Sequence, residues 1–338
     1  MTRRHLAGLL LGLPGCLRTP RAAGSSPSRF EVDKLMPGRG ATESLDMEKL
    51  YRADAVITLL SVPIYSRAGV GSGFAALSEV PEGSSRTTSL RFGAGSLPEH
   101  TRGLNKLGFI HEVVKEESSR LARTAYFGFL TWSPEESLGQ SKDALENGGE
   151  GVVSYLAVDG YTCPEEAFCT EIPFNFPARY TWAHSKSLFD QVRSVFHSTH
   201  GPSRKTSRQK LQSGSSTPCT FLYAVLKAIQ SSARHTEMPF VYNGKQYKLS
   251  TDKRADRRQG ARFAALKLTN NPESVVRLRG VIKNYSNGQN TEFKLWLEDA
   301  PGQLLPLRIE YHPRSFLKLS FQVDPSFSVS PGSLAPDS

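Results

Sequence analysis

The sequence has little cysteine, no long apolar run and no catalytic signature, and each shortage removes a class of protein. Four cysteines in 338 residues are too few for a disulfide-stapled scaffold, and their spacing offers no second pair for a tetrahedral zinc site. No segment reaches the roughly 18 consecutive apolar residues that a helical membrane span needs. A Gly-x-Ser-x-Gly elbow is absent, and no order of Ser, His and Asp points to a triad. His111-Glu112-Val113-Val114-Lys115 begins like a zinc-protease helix, but Lys115 stands where the second His ligand must be. Gly69-x-Gly71-x-Gly73 follows a strand, as a dinucleotide loop would, yet no helix signal with an acidic partner comes after it; it reads as a glycine-rich turn or bulge. Glu135 and Glu136 are adjacent and diverge in either regular structure, which makes a poor acid/base pair. His197 and His200 would need a third metal ligand, such as His184, and read instead as a solvated helix end. The residues therefore imply no metal, no cofactor and no enzyme.

What is present is moderately apolar and basic. A hydrophobic fraction of 38% supports one large core or two modest ones. The net charge of +10 is spread along the chain and reads as a solubility device. Its one dense run, Arg204, Lys205, Arg208 and Lys210, has no aromatic beside it on which a base could stack. That run reads as a solvated loop, and nucleic acid is not an expected partner.

The N-terminus carries an export pattern. Thr2-Arg3-Arg4-His5 precedes the short apolar run Leu6 to Leu13, the layout of a signal peptide. Leu13-Pro14-Gly15-Cys16 resembles a bacterial lipobox, which would make Cys16 a lipidation site, although Pro14 departs from its usual residue. An ordinary secretory cut near Ala22-Ala23 is the alternative. Both predict export to the periplasm or outer membrane, with peripheral membrane association if Cys16 is lipidated. Residues 1–16 are thus a signal segment, 17–48 a flexible linker rich in Pro, Gly, Ser and Arg, 49–324 a single β-rich domain and 325–338 a loose tail. In an oxidising compartment Cys163 and Cys169 are expected to form a disulfide across five residues, worth about 2 kcal/mol. Cys219 reads as a small core residue.

Period-two alternation dominates. Ala55 to Tyr65, Thr87 to Phe92, Ala125 to Trp132 and Val152 to Val158 carry strand signals; Leu107 to Val114 fits a strand or a helix. Tyr242-Asn243-Gly244-Lys245 marks a type I′ hairpin, because both central residues need positive φ. Arg262 to Leu268, Val276 to Tyr285, Glu292 to Glu298, Leu305 to Tyr311 and Leu317 to Val323 continue the meander. Two helices are predicted, near 186–196 and 220–231. The second carries Phe221, Leu222, Val225 and Ile229 on one face, with Thr217 as its cap. The fold class is mainly β (α+β): a curved antiparallel sheet forming a half-open barrel or a sandwich, with two helices packed on it.

Phe293-Lys-Leu-Trp-Leu-Glu298, Pro306-Leu-Arg-Ile-Glu-Tyr311 and Phe316-Leu-Lys-Leu-Ser-Phe321 resemble the end of a group of exported bacterial proteins of unknown function. Thr220-Phe-Leu-Tyr223 followed by Asn243-Gly-Lys-Gln-Tyr247 sits where that group has a helix and then a strand pair. The resemblance implies a lipocalin-like or half-barrel envelope protein and carries no catalytic residues with it. Three functions follow. The first is a non-enzymatic envelope protein holding an apolar ligand or an envelope polymer on the concave side of its sheet. The second is a membrane-anchored structural or interaction module. The third is a hydrolase whose site is assembled from distant residues, such as His184, His197 and Glu112. Tyr311, His312, Arg314, Phe316 and Lys318 mix aromatic and basic groups around one turn and are candidate ligand contacts.

Overall fold

The alternating segments become one antiparallel sheet in the computed structural model, which describes residues 47–59, 62–97, 100–101, 106–118, 120–131, 152–163, 166–177, 191, 205–210, 219–314 and 317–325. The N-terminal strands are β1 (Met47–Leu59), β2 (Val62–Glu82), β3 (Ser85–Ser96), β4 (Leu107–Glu117), β5 (Arg120–Thr131), β6 (Val152–Thr162), β7 (Glu166–Pro177) and β8 (Lys205–Lys210). The C-terminal strands are β9 (His235–Tyr242), β10 (Lys245–Ala255), β11 (Val275–Asn284), β12 (Asn290–Glu298), β13 (Arg308–Arg314) and β14 (Leu317–Val323). The described helices are α1 (Phe221–Gln230) and α2 (Arg257–Ala265).

The sheet runs β8-β7-β6-β5-β4-β3-β2-β1-β14-β13-β12-β11-β10-β9. Two meanders are joined where β1 pairs with β14, from Tyr51↔Val323 to Ile57↔Leu317. The end strands β8 and β9 do not pair, so the sheet is unclosed. It is nonetheless rolled. Tyr126 of β5 packs on Tyr242 of β9 with ring centroids 5.3 Å apart, and Gly244 of the β9–β10 turn abuts Ser207 of β8 and Cys169 of β7. Tyr126 and Cys169 share the face of β4 that carries Glu112. The C-terminal edge therefore lies against the inner surface of the N-terminal edge, in the manner of a spiral.

Register explains why this face is the inside. Ala75, Leu77, Leu90 and Val114 from the N-terminal meander and Leu249, Leu278, Leu295 and Ile309 from the C-terminal one form one core with α1. The opposite face carries two further cores. Phe109, Phe129 and Tyr155 are buried on the outside of β4–β6. Phe263 of α2 packs on Val275, Trp296 and Leu307 outside the C-terminal meander. Asp256 holds α2 there: its carboxylate accepts from the Gln259 amide at 3.1 Å and from the Trp296 indole at 2.9 Å.

Several sequence expectations change. Ala55 to Tyr65 is not one strand but the end of β1 and the start of β2. The Gly69–Gly73 stretch lies inside β2, opposite a register shift between Ala53 and Ala55 in β1. Gly69 has φ +63 and donates its amide to Asp54 Oδ1 at 2.8 Å, so the stretch is a bulge. Leu107 to Val114 is strand, in β4. Asn243 and Gly244 have φ 49 and 63, as the hairpin requires. Arg262 to Leu268, read as strand, begins inside α2; only Gly260 and Phe263 of that helix are buried, so no apolar stripe advertised it. The helix near 186–196 lies outside the described residues, apart from helical Gln191. Of the basic run, Lys205 to Lys210 is not a loop but edge strand β8, whose charges suit an unpaired sheet edge.

Candidate functional site

The interior of the rolled sheet is occupied by α1. Its sequence, Phe-Leu-Tyr-Ala-Val-Leu-Lys-Ala-Ile-Gln, buries Phe221, Tyr223, Ala224, Leu226, Ala228 and Ile229, so the helix is apolar around much of its circumference. A helix placed there must satisfy its free terminal amides and carbonyls without water. Side chains from the two meanders do this. At the N-terminus the carboxylate of Glu112, from β4, accepts from Thr220 Oγ1 at 2.5 Å, from the Leu222 amide at 3.0 Å and from the Tyr223 amide at 3.0 Å. At the C-terminus Lys253, from β10, donates to the carbonyls of Ile229 and Ser231, each at 3.0 Å, and pairs with Asp299 at 3.0 Å. An acid at the positive end and a base at the negative end both oppose the helix dipole. Glu116, four residues beyond Glu112 on β4, accepts from Tyr223 Oη and pairs with Lys227 at 3.0 Å.

Glu112 is fully buried. Loss of hydration raises its carboxyl from the ordinary carboxylate range to about 7, against the pull of the Thr220 hydroxyl and the amides of Leu222, Tyr223 and Phe221. Cys219, just before the helix, donates its thiol to Pro239 O at 3.1 Å, and its carbonyl accepts from the Val241 amide of β9 at 3.0 Å, a parallel bridge opposite the buried Phe240. Burial first, and then the Glu112 charge, push that thiol up to about 12, which makes it an inert thiol and not a nucleophile.

Between α1 and the sheet lies an apolar cavity of about 100 Å³. One wall is α1, through Leu222, Val225 and Ile229; the facing wall comes from β2 and β3, with Ala75 and Phe92, and from Phe293 and Leu295 of β12. The segment Leu304–Pro306, which also lines it, is tied down from β1. Tyr51 Oη donates to Pro306 O at 2.8 Å and Lys49 Nζ donates to Leu305 O at 2.9 Å. Arg91 is the one charged lining residue; it lies between Leu90 and Phe92 on β3 and so directs its side chain to the outer face.

The residues singled out from sequence are dispersed. Tyr311 is buried in the inner core, whereas His312 is its neighbour on β13 and so faces outward. There the cost of burial and the Lys294 charge lower the pKa of its imidazole. Lys318 lies on the outer face near Glu310, at 3.7 Å. Phe316 and the side chain of Arg314 lie outside the described residues. Adjacent strand residues alternate faces, so Tyr311 does not share a contact surface with His312 and Lys318. His111 and Glu112 likewise part across β4: His111 Nε2 hydrogen-bonds Ser89 Oγ at 2.9 Å on one face, while Glu112 caps α1 on the other. His184, His197, His200 and Cys16 lie outside the described residues.

The expected disulfide is not formed: Cys163 and Cys169 are both free thiols. In the β6–β7 hairpin Cys169 pairs with Gly160 and Ala167 with Thr162, while the Cys163 amide donates to Glu166 O. The two cysteines are thus three residues out of step. At about 3.4 Å per residue their Cα atoms are roughly 10 Å apart, beyond the roughly 7 Å a disulfide can bridge. Among the described residues no group of three His, Cys, Asp or Glu is placed to hold a metal ion.

What sequence reasoning missed was the pairing of Glu112 and Lys253 with α1. Their separation from the helix, 108 residues for Glu112 and Thr220, hid it. The one signal was an acidic residue in the buried, mostly apolar part of a strand, Leu107 to Val114.

No family model matches this chain, and no curated protein matches it. Among solved structures, it is similar to a crystal structure described as a β-barrel-like protein of Domain of Unknown Function DUF1849 from Brucella abortus, at 7% identity and a TM-score of 0.43, covering 82% of this chain and 95% of that one.

Proposed function

We propose that this protein is an exported, non-catalytic binding protein that holds the apolar part of a ligand in the cavity between α1 and the inner face of its sheet. The observation that carries the reading is the cavity itself: a partly open apolar space of about 100 Å³ between the sheet and a helix secured at both ends. An engineered apolar cavity of about 150 Å³ stays dry and takes up benzene. By that measure this space takes a short alkyl segment. Dry apolar space disfavours water and favours hydrocarbon. Export through the N-terminal segment, with or without a lipid on Cys16, places such a protein in the cell envelope.

The test is calorimetric titration with twelve-carbon single-chain amphiphiles below their micellar concentration. Binding with a negative heat-capacity change is expected. Val225→Trp, on the half-buried side of α1, fills the cavity and is expected to abolish binding while the melting transition persists. Absence of binding in the unaltered protein, or unchanged binding in the Trp variant, refutes the reading. It would favour the second reading, a structural module whose interior is filled by its own helix.

A further inference from the structure

The cavity has one cation beside it whose charge is left over. Three lysines surround α1 and its cavity. Lys227 is paired with Glu116 at 3.0 Å and Lys253 with Asp299 at 3.0 Å. Lys49 has no ion pair among the described residues; its ammonium donates to one acceptor, Leu305 O, at 2.9 Å. Lys49 lies directly across the β1–β2 ladder from Ala75, and Ala75 and Leu305 both line the cavity. An ammonium has three N–H donors, so two remain for a ligand at the rim. Burial lowers the pKa of Lys49, with the Glu298 charge opposing that shift. A half-buried cation in that state gains most from a counter-charge brought in with the ligand.

We infer that the cavity selects single-chain anionic amphiphiles, with the alkyl end beside Val225 and Ile229 and a carboxylate on the Lys49 ammonium. The inference rests on the apolar-ligand reading and names the ligand class. One chain end matches the small volume, and one negative charge matches one unpaired lysine; a free alkyl carboxylate meets both requirements.

The experiment compares dodecanoate with dodecanol in the unaltered protein, in Lys49→Gln and in Lys49→Arg. Dodecanoate is expected to bind about tenfold or more tightly than dodecanol, the size of a charge-assisted hydrogen bond. Lys49→Gln, whose amide can still donate to Leu305 O, is expected to remove that preference and leave dodecanol binding in place; Lys49→Arg restores it. Equal affinities in the unaltered protein, or a preference that survives Lys49→Gln, overturns the assignment of Lys49 alone. Failure of both ligands to bind overturns the apolar-ligand reading, and this inference with it.

Discussion

Glu112 makes the stability of this protein depend on pH in a direction opposite to that of most carboxylates. Its carboxyl is raised from 4.5 to about 7 by burial, so the folded state holds the proton more tightly than the unfolded chain does. The stabilisation is therefore complete below about pH 4.5 and is lost as pH rises through about 7. A shift of that size corresponds to roughly 3 kcal/mol. Glu112→Gln removes the titration and keeps one oxygen for Thr220 Oγ1 and the Tyr223 amide, which share Oε2, while the Leu222 amide loses its acceptor at Oε1, a cost that is the same at every pH. Urea unfolding of both proteins between about pH 5 and about pH 8 isolates the effect, because the other titrating groups cancel in the difference. The stability of the unaltered protein minus that of the variant is expected to fall by about 2–3 kcal/mol across this range. A flat difference would mean that the amides and the helix dipole fully compensate the buried charge; a rising one would mean that they over-compensate it. Either refutes the reasoning. Glu112→Ala leaves donors unsatisfied at each pH and is expected to destabilise by several kcal/mol, at about 1–3 for each orphaned group.

Four further outcomes follow from the same structure. Lys253→Met leaves the Ile229 and Ser231 carbonyls without their donor and should cost about 1–3 kcal/mol, read as a lower melting temperature and faster proteolysis near α1. A Cβ at Gly260 would sit closer to Pro272 O than real contacts allow, so Gly260→Ala should lower stability by about 1–3 kcal/mol, an effect absent from Gly302→Asn, where nothing lies within 4 Å. Under native, non-reducing conditions Cys163 should react with an alkylating reagent and Cys169, 1% exposed, only after unfolding; peptides carrying Cys163 and Cys169 that stay unmodified after unfolding, while Cys219 is alkylated, would indicate a disulfide. If Cys16 is lipidated, Cys16→Ser should release the protein from the membrane fraction, and an unchanged distribution would exclude that anchor.

The C-terminal meander was legible because its alternation is strict. Phe293, Leu295 and Leu297 turn one way and Lys294 the other, and a pleated ribbon is the conformation that separates them. The Asn243-Gly244 turn was equally plain, since positive φ at two successive residues has few solutions. Helix α1 was legible from its apolar face. By contrast, α2 and β8 gave no signal: α2 meets its neighbours through Phe263 and little else, and β8 is an edge strand whose side chains are polar on both sides. Tyr311, His312 and Lys318 looked like parts of one surface because they are close in sequence, but the pleat sets Tyr311 apart from the other two.

Local chemistry was therefore enough to specify the antiparallel sheet, its hairpins and its central helix, because each depends on residues a few positions apart. Which strands stand at the two ends, how far the sheet rolls, and that α1 lies inside it were decided only in three dimensions. So were the capping of α1 by Glu112, the pinning of its other end by Lys253 and the placement of Lys49 beside the cavity. Each brings together groups far apart in the chain, and the burial that gives them their energetic weight exists only once both meanders have closed around the helix.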